Sequence, residues 1–240
     1  MGVSKGGATL EMQIRSVTFD LDGTLLDTIV DLAAACDAMM VELRFPPLGV
    51  EKVRRFVGKG MAVLVERCLT TPDGPPDPAL LAQGIAAFRH HYAGFNGCAA
   101  AEYPGVREGL EAFRALGLPL GVVTNKPAAF TGPLLERTGL ADFFVVLVSG
   151  DTTANKKPHP EPILHACTIL GVRPEENLHI GDSDNDLIAA RAAGCLAFAV
   201  PYGYTEAGPV DTSNCDALVS TLLEAARRVA DINKTSLHTS

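Results

Sequence analysis

The sequence predicts an α/β fold in which a doubly wound parallel sheet carries an inserted, all-helical segment. Short apolar runs alternate along most of the chain with segments of helical periodicity. The runs are apolar at consecutive positions instead of every second one, which is typical of strands covered on both faces. The alternation stops between residues 28 and 102, where only helical patterns occur. These three observations indicate a layered core interrupted by a helical insertion.

The core is predicted from residues 14–27 and 103–230. Five strands are predicted, at Ile14–Asp20, Leu118–Thr124, Phe144–Ser149, Leu178–Gly181 and Cys195–Val200. Helices are predicted between and after them, at about 106–117, 127–138, 160–171, 184–193 and 217–230. Because the helix that links two parallel strands makes a right-handed crossover in almost all proteins, this alternation is typical of a parallel sheet.

The insertion, residues 28–102, is predicted to be a separate cap of helices. Its helical patterns cover Asp31–Glu42, Lys52–Val57, Met61–Leu69 and Pro78–Phe95, with a link rich in Pro, Gly and Asp at 71–78. No strand is predicted within the insertion. Towards the end of the sequence, residues 231–240 form a polar tail that we expect to fray.

Composition narrows the class of function. The 240 residues include 20 Lys plus Arg and 28 Asp plus Glu, for a formal charge of −8. A protein that binds duplex nucleic acid or a membrane surface needs a basic patch, so neither partner is expected. The six cysteines are widely spaced without a C-x-x-C pair, and neither a signal peptide nor a membrane span is recognisable. We therefore expect buried free thiols in a cytoplasmic protein, whose oligomeric state the sequence leaves open.

Two acidic side chains follow the first predicted strand. Asp20 and Asp22 lie two positions apart, so their side chains point to the same face, and Gly23 permits the turn that follows. Ligands of open parallel sheets bind at the carboxyl ends of the strands. Two neighbouring carboxylates repel each other, and a divalent cation such as Mg²⁺ would compensate them. The alternative is a helix cap or an Asx-turn, although the apolar run before the pair favours a site.

Polar groups follow the other predicted strands as well. Thr124 and Asn125 stand before a proline suited to a first helical turn, where they either cap the helix or help to bind an anion. Lys157, held next to a proline, is either a fixed ammonium group or a solvated lysine. Asp182 and Asp186, with a third aspartate between them, exceed what a helix cap requires.

These segments, taken in order, resemble the haloacid dehalogenase-like hydrolase superfamily through F-D-L-D-G-T-L, T-N-K, K-P-x-P and G-D-x-x-x-D. The resemblance extends from Ile14 to about Ala230. It implies a Rossmann-like core, with the insertion in the place of the mobile cap of these enzymes. Within the superfamily, the cap segment F-V-G-K-G and the late segment P-Y-G-Y are similar to bacterial phosphoglycolate phosphatases.

The resemblance implies the chemistry of the acidic residues. Asp20 would be the nucleophile, which forms an aspartyl-phosphate and so divides one difficult displacement into two. Asp22 would protonate the leaving alkoxide and then activate water. Mg²⁺ would be held by Asp20, by the backbone carbonyl of Asp22 and by the carboxylate of Asp182.

The resemblance also implies how the substrate is held. Thr124, the backbone N–H of Asn125 and Lys157 would bind the phosphoryl oxygens over which charge spreads. Asp186 would orient the Lys157 ammonium or a metal-bound water in preference to contacting the metal. A two-carbon acid also needs a donor for its carboxylate. Lys59, which lies between two glycines in the cap, is the candidate, and the alternative for it is a solvated loop lysine.

The resulting hypothesis is an enzyme, a Mg²⁺-dependent phosphatase of small organic phosphate monoesters, with 2-phosphoglycolate favoured as the substrate. Another sugar-phosphate phosphatase or a phosphomutase of the same superfamily is the close alternative. A haloacid dehalogenase also uses an aspartate nucleophile, but expelling halide needs neither a proton nor a metal, so Asp22 favours phosphoryl transfer. A receiver module that accepts phosphate as a signal would be much shorter and would carry no helical cap.

Overall fold

A six-stranded parallel sheet forms the core of the computed structural model, which describes residues 13–204 and 211–237. The strands of the chain are β1 (Ser16–Phe19), β2 (Leu26–Asp27), β3 (Ala101–Glu102), β4 (Leu120–Val123), β5 (Val146–Val148), β6 (Asn177–Gly181), β7 (Leu196–Ala199) and β8 (Ala217–Leu218). The order across the sheet is β5-β4-β1-β6-β7-β8, and all neighbouring pairs are parallel. Successive strands are added on one side of β1 and then on the other, so the order reverses at β1.

Helices cover both faces of this sheet, which confirms the predicted doubly wound α/β fold. The helices are α1 (Ile29–Glu42), α2 (Val50–Arg54), α3 (Met61–Leu69), α4 (Pro78–Phe95), α5 (Val106–Ala115), α6 (Ala128–Arg137), α7 (Glu161–Leu170), α8 (Asp184–Ala193) and α9 (Leu222–Leu237). Val122 belongs to the apolar core that α5 and α9 cover. Val123 belongs to the core on the side of α7 and α8. The continuous apolar run of β4 therefore fills two cores, one on each face.

The far edge of the sheet differs from the prediction. The pattern predicts a helix over 217–230, whereas Ala217–Leu218 form the sixth strand, β8. Helix α9 begins only after Thr221, whose Oγ1 accepts the backbone N–H of Glu224 at 3.1 Å. This side-chain cap fixes the start of the helix. The sequence carries the corresponding T-x-x-E signal, which the helical period over 217–230 obscures.

The expectation of a frayed tail from residue 231 is wrong over 231–237, because α9 continues to Leu237. Asn233 anchors this part of the helix to the start of the described core. Its side chain accepts the backbone N–H of Ile14 at 2.8 Å and donates to the carbonyl of the same residue at 2.9 Å. From sequence alone, a polar residue whose side chain pairs with buried backbone groups cannot be distinguished from a polar residue of a solvated tail.

Helices α1 to α4 lie in the inserted segment 28–102, called the cap here, and pack around a second apolar cluster. The prediction of no strand in this range is wrong at its end, because β3 pairs antiparallel with β2. Two residues are too short for a periodic pattern, and the pairing joins segments far apart in sequence. The two passages of the chain between core and cap therefore lie side by side and are hydrogen-bonded.

Two aromatic residues of the core pack into the cap cluster, Phe130 and Tyr204. The ring of Phe130 meets that of Tyr92 in α4 edge to face, with centroids 4.9 Å apart. The Tyr204 hydroxyl accepts the backbone N–H of Thr28 and donates to Asp27 Oδ1, each at 2.6 Å. The base of the cap is thus attached to the core through an aromatic contact and two hydrogen bonds.

Candidate active site

The candidate site lies at the carboxyl ends of β1, β4 and β6, where the strand order reverses. Asp20 follows β1, and its backbone N–H donates to Ile180 of β6 at 2.9 Å. Thr124 follows β4 and donates to Val148 of β5 at 2.9 Å. Asp182 follows β6. The sheet ladder fixes the backbone up to these positions, so it brings polar residues from separate segments to one edge.

Three carboxylates meet at this edge. Asp20, Asp182 and Asp186 each place an oxygen within 4.8 Å of the others. Asp182 is held by the hydroxyl of Thr24, 2.9 Å from Oδ1, and by the backbone N–H of Tyr204, 2.6 Å from Oδ2. Carboxylates this close raise one another's pKa unless positive charge lies among them. We refer to these three residues as the acidic cluster.

Two glycines leave room for the Asp182 carboxylate. A Cβ on Gly23 would lie 2.4 Å from Asp182 Oδ2, and a Cβ on Gly203 would lie 2.2 Å from the same atom. Gly23 also has a φ of +94°, which side chains of other residues rarely tolerate. The glycines of the D-G-T and Y-G-Y segments are therefore required by the close approach of one carboxylate.

Lys157 extends between two members of the acidic cluster. Its Nζ lies 2.9 Å from Asp20 Oδ1 and 2.5 Å from Asp186 Oδ1, and it donates to the carbonyl of Val123 at 2.5 Å. Burial by itself lowers the pKa of Lys157, but Asp186 and Asp20 hold it above its ordinary value. Burial opposes the ionisation of Asp186 too, yet Lys157 and His179 bring its pKa below the usual range. Asp186 therefore holds a charged ammonium beside Asp20.

The acidic cluster fits a divalent cation. Burial raises the pKa of Asp20 to about 6, against the opposing effect of Lys157. Burial, reinforced by Asp186 and Asp20, raises the pKa of Asp182 well above its usual range. An ion with a preference for oxygen ligands, such as Mg²⁺, would relieve the repulsion among the three carboxylates.

The Asp22 carboxylate belongs to a second centre. Lys126 Nζ lies 3.0 Å from Asp22 Oδ1 and 3.1 Å from Oδ2, and the Thr28 hydroxyl donates to Oδ1 at 2.7 Å. Lys126 also donates to the hydroxyl of Tyr92, on cap helix α4, at 2.5 Å. Burial by itself lowers the pKa of Lys126, but Asp22 and Tyr92 hold it above its ordinary value. Burial raises the pKa of Tyr92 to about 12, so its hydroxyl stays protonated at neutral pH.

Thr124 and Asn125 are buried where β4 ends, and both line the cleft of the site. The Asn125 side chain donates to the carbonyls of Lys157, at 2.9 Å, and of Gly58 in the cap, at 3.1 Å. Its Oδ1 accepts the backbone N–H of Lys157 at 3.0 Å. Because the side chain is occupied in fixing the Lys157 backbone, the group of Asn125 suited to a ligand is its backbone N–H.

The cleft encloses about 600 Å³, part of it open to solvent, between the strand ends and the cap. On the cap side, the described residues that line the cleft are Tyr92 and a set of apolar residues and glycines. This set is Leu32, Val57, Gly58, Gly60, Met61, Leu64 and Phe88. Lys59, predicted to bind the substrate, is exposed and is not among the described residues that line the cleft. Its glycine neighbours, Gly58 and Gly60, occupy the wall, and a role of Lys59 in binding the substrate stays a prediction.

Sequence reasoning missed Lys126 and Tyr92. Lys126 is the third residue of the T-N-K segment, directly after Thr124 and Asn125, which were predicted as site residues because they follow a strand. The position of Lys126 could therefore have identified it. Tyr92 gave no such signal. It follows Phe88 by four positions on one helix, and an aromatic pair with that spacing is typical of a packed core.

The comparison with known families agrees with this geometry. A family model for haloacid dehalogenase-like hydrolases matches residues 17–200, a range that includes the acidic cluster, Lys157 and the whole cap. The chain therefore belongs to the haloacid dehalogenase-like hydrolases. Among the helices of the described ranges, none is long and apolar enough to cross a membrane.

Individual relatives narrow the class. Phosphoglycolate phosphatase of Thiobacillus denitrificans is 49% identical over 219 residues, which are 91% of this chain and 96% of the relative. The crystal structure of a predicted phosphoglycolate phosphatase from Haemophilus somnus is 30% identical, with a TM-score of 0.84, and covers 90% of this chain and 98% of its own. CbbY from Rhodobacter sphaeroides, solved in complex with phosphate, is 26% identical, with a TM-score of 0.75 and coverage of 88% and 96%. The chain falls within the phosphoglycolate phosphatase family, and it is a phosphatase.

Proposed function

We propose that the protein hydrolyses 2-phosphoglycolate to glycolate and phosphate, with Mg²⁺ as its cofactor and an aspartyl-phosphate on Asp20 as the intermediate. The observation that carries the proposal is the acidic cluster, two of whose three residues are buried, beside the Lys157 ammonium. Relatives named for phosphoglycolate support the choice of substrate. The complex of CbbY with phosphate supports the binding of a phosphoryl group by this fold.

The first requirement of the reaction is positive charge. Hydrolysis of phosphate monoesters is among the slowest uncatalysed reactions, with enzymatic accelerations of up to about 10²¹-fold. A carboxylate that approaches a phosphate dianion is repelled unless cations neutralise the charge. Lys157 Nζ lies 2.9 Å from Asp20 Oδ1 and would contact the phosphoryl oxygens that Asp20 approaches. Thr124 and the backbone N–H of Asn125 would hold the other oxygens.

We assign Mg²⁺ to the carboxylates of Asp20 and Asp182 and to the backbone carbonyl of Asp22. The bound ion supplies positive charge to the phosphoryl oxygens. Asp186 is already bonded to Lys157, so its role is to orient the ammonium or a water on the ion. Phosphate release should stop in EDTA and return on addition of MgCl₂. Activity that persists in EDTA would contradict the metal assignment and favour a metal-independent reaction such as dehalogenation.

The reaction takes place in two displacements. Asp20 attacks phosphorus as the bond from phosphorus to the ester oxygen breaks, and Asp22 gives a proton to the departing alkoxide. Water then attacks phosphorus, Asp22 takes a proton from that water, and the bond to Asp20 breaks to release phosphate. Acid quenching during turnover followed by borohydride reduction should convert the acyl-phosphate to homoserine at position 20. Absence of that product under conditions of rapid turnover would contradict the nucleophile assignment.

The substrate is tested by comparing kcat/KM for 2-phosphoglycolate, ethyl phosphate and several sugar phosphates. We expect the highest value for 2-phosphoglycolate. A flat profile would reject the assignment, and a higher value for a sugar phosphate would favour the alternative phosphatase. A phosphomutase would instead isomerise a sugar phosphate without accumulating inorganic phosphate, so measuring both products separates that alternative.

We also propose a cytoplasmic location. All six cysteines are free, and four of them, Cys36, Cys68, Cys167 and Cys195, are buried. Buried thiols without disulfides are typical of a reducing compartment. Fractionation of cells that express the protein, with an assay for phosphoglycolate hydrolysis, should recover the activity with cytoplasmic markers. Recovery with an oxidising compartment would contradict the proposal.

A further inference from the structure

We propose that Lys126 binds the carboxylate of the leaving group, with the Tyr92 hydroxyl as a second donor, so that this pair selects 2-phosphoglycolate over esters without an acid group. The inference rests on the proposed function, which it deepens by assigning the specificity of the reaction to two residues. Neither residue is needed to bind the phosphoryl group, which the Lys157 centre holds. The two residues come from different parts of the fold, the end of β4 and cap helix α4.

Lys126 and Tyr92 lie next to Asp22, where the substrate carboxylate would be. Asp22, the proposed proton donor, must lie next to the ester oxygen of the bound substrate. In 2-phosphoglycolate a single methylene joins that oxygen to the carboxyl carbon. The carboxylate must therefore lie beside whatever surrounds Asp22. Lys126 Nζ is 3.0 and 3.1 Å from the two Asp22 carboxylate oxygens, and the Tyr92 hydroxyl is 2.5 Å beyond it.

The cleft offers few cations that could bind the substrate carboxylate. Within the described part of the chain, two ammonium groups line the cleft, those of Lys126 and Lys157. Lys157 is bonded to Asp186 and lies against Asp20, on the phosphoryl side. The cap wall around Tyr92 consists of apolar side chains and glycines. A carboxylate buried there without a cation would lose its hydration without compensation, which is strongly unfavourable. Lys126 is the cation that the cleft provides.

Lys126 and Tyr92 each have a hydrogen-bond donor left for a ligand. An ammonium has three N–H donors. One N–H of Lys126 can be shared by the two oxygens of Asp22 and a second is donated to Tyr92, which leaves the third for a ligand. Lysine cannot accept a hydrogen bond, so in the bond between them Lys126 donates and the Tyr92 oxygen accepts. The phenolic proton of Tyr92 is therefore still available, and it has no acceptor among the described residues. The pair can present two donors to the two oxygens of one carboxylate.

In this geometry Lys126 takes the role that the sequence suggested for Lys59, the binding of the substrate carboxylate. Lys59 is exposed, and the wall of the cleft at that point is formed by Gly58 and Gly60. Lys126, by contrast, has a side chain that is 3% exposed and sits at the junction of core and cap. A buried ammonium attracts an anion through a less polar medium, which strengthens the interaction relative to an exposed lysine.

The experiment compares 2-phosphoglycolate with ethyl phosphate, which keeps the two carbons and the ester oxygen but lacks the carboxylate. We expect Lys126→Met to lower the ratio of the two kcat/KM values by on the order of 10- to 100-fold, the effect of losing a charged hydrogen-bond partner. Tyr92→Phe should lower the same ratio by about 3- to 10-fold, as for a single neutral hydrogen bond. Lys52→Met, which removes an exposed lysine of α2, is the matched control and should leave the ratio unchanged.

The ratio of the two kcat/KM values separates a change of specificity from a general loss of catalysis. A disturbed Asp22 would slow the hydrolysis of both alkyl esters alike and would leave the ratio unchanged. If the wild-type enzyme itself shows no preference for 2-phosphoglycolate over ethyl phosphate, the proposed function fails. If the wild type shows the preference and folded Lys126→Met and Tyr92→Phe keep it, the function stands and this inference is overturned. A loss of the preference in Lys59→Met alone would overturn it as well. Should Lys126→Met not fold in a thermal melt, the ratio in Tyr92→Phe decides.

Discussion

The two lysine centres of the site differ in the origin of their partners. Lys157 contacts Asp20, Asp186 and the carbonyl of Val123, all in the α/β core. Lys126 contacts Asp22 in the core and Tyr92 in the cap. The first centre is complete within the core, whereas the second is completed by the cap. The groups proposed to bind the phosphoryl group therefore lie within the core, whereas the groups proposed to select the alcohol lie partly in the cap and share their centre with Asp22, the proposed proton donor.

The largest effect is expected from the first centre. Asp20→Asn should lower kcat for every phosphate ester by on the order of 10⁵- to 10⁶-fold, because an amide cannot form the acyl-phosphate. Phosphate release from 2-phosphoglycolate and p-nitrophenyl phosphate measures the loss, and a thermal melt checks that the variant is folded. Asp73→Asn, an exposed loop substitution in the cap, serves as the control. Substantial residual turnover by a pure Asn variant would place the nucleophile elsewhere.

Asp22→Asn tests the second centre, and its effect should depend on the leaving group. Alkyl phosphates should lose about 10²- to 10⁴-fold in kcat, the usual contribution of a general acid. p-Nitrophenyl phosphate should lose much less in the first displacement, because nitrophenolate leaves without a proton. Pre-steady-state bursts of nitrophenolate isolate that displacement from the later attack of water. Equal losses for both kinds of ester would contradict the assignment of Asp22 as proton donor.

Lys157→Met should lower kcat/KM by about 10²- to 10³-fold for all esters, with or without a carboxylate, because it removes a donor to the phosphoryl oxygens. Lys126→Met provides the informative comparison, because it should lower kcat/KM selectively for the substrate that carries a carboxylate. Both remove a buried ammonium, so the two variants are controls for each other's effect on folding. If Lys157→Met changed the ratio of 2-phosphoglycolate to ethyl phosphate as strongly, the proposed division between the centres would be wrong.

The smallest expected effect concerns pH. Since burial raises the pKa of Asp20 to about 6, protons compete with the cation below that pH. The Kd for Mg²⁺, measured from the rise in melting temperature with MgCl₂, should increase by at least tenfold per unit of pH below 6, because burial also raises the pKa of Asp182 and protons compete with the ion at both carboxylates. Asp22→Asn should keep this profile, because it leaves the acidic cluster intact. A Kd independent of pH between 5 and 7 would show that Asp20 is not a ligand.

The parts of the fold that sequence could predict are those with a local cause. The buried runs of β1, β4 and β6 and the periodic helices each carry their own pattern, and the structure places them within a few residues of the prediction. The pairing of β2 with β3 and the edge strand β8 have no such pattern, because strands of two residues depend on partners elsewhere in the chain. The last turns of α9 could not be predicted, because Asn233 is hydrogen-bonded to Ile14, which lies far away in the sequence.

The same distinction applies to the site. Asp20, Asp182 and Lys157 could be selected because each follows an apolar strand, and parallel strands bring such positions together. Lys59 was selected for its glycine neighbours alone, and the fold turns those glycines, not the lysine, to the cleft. Tyr92 could not be selected, since its hydroxyl acquires a role only when α4 is seated against the end of β4.

Tyr204 contacts both the acidic cluster and the base of the cap. Its backbone N–H holds Oδ2 of Asp182, while its hydroxyl bridges Asp27 and Thr28 at the base of the cap. One tyrosine therefore connects Asp182, a proposed ligand of the metal ion, to the two residues at which the chain enters the cap.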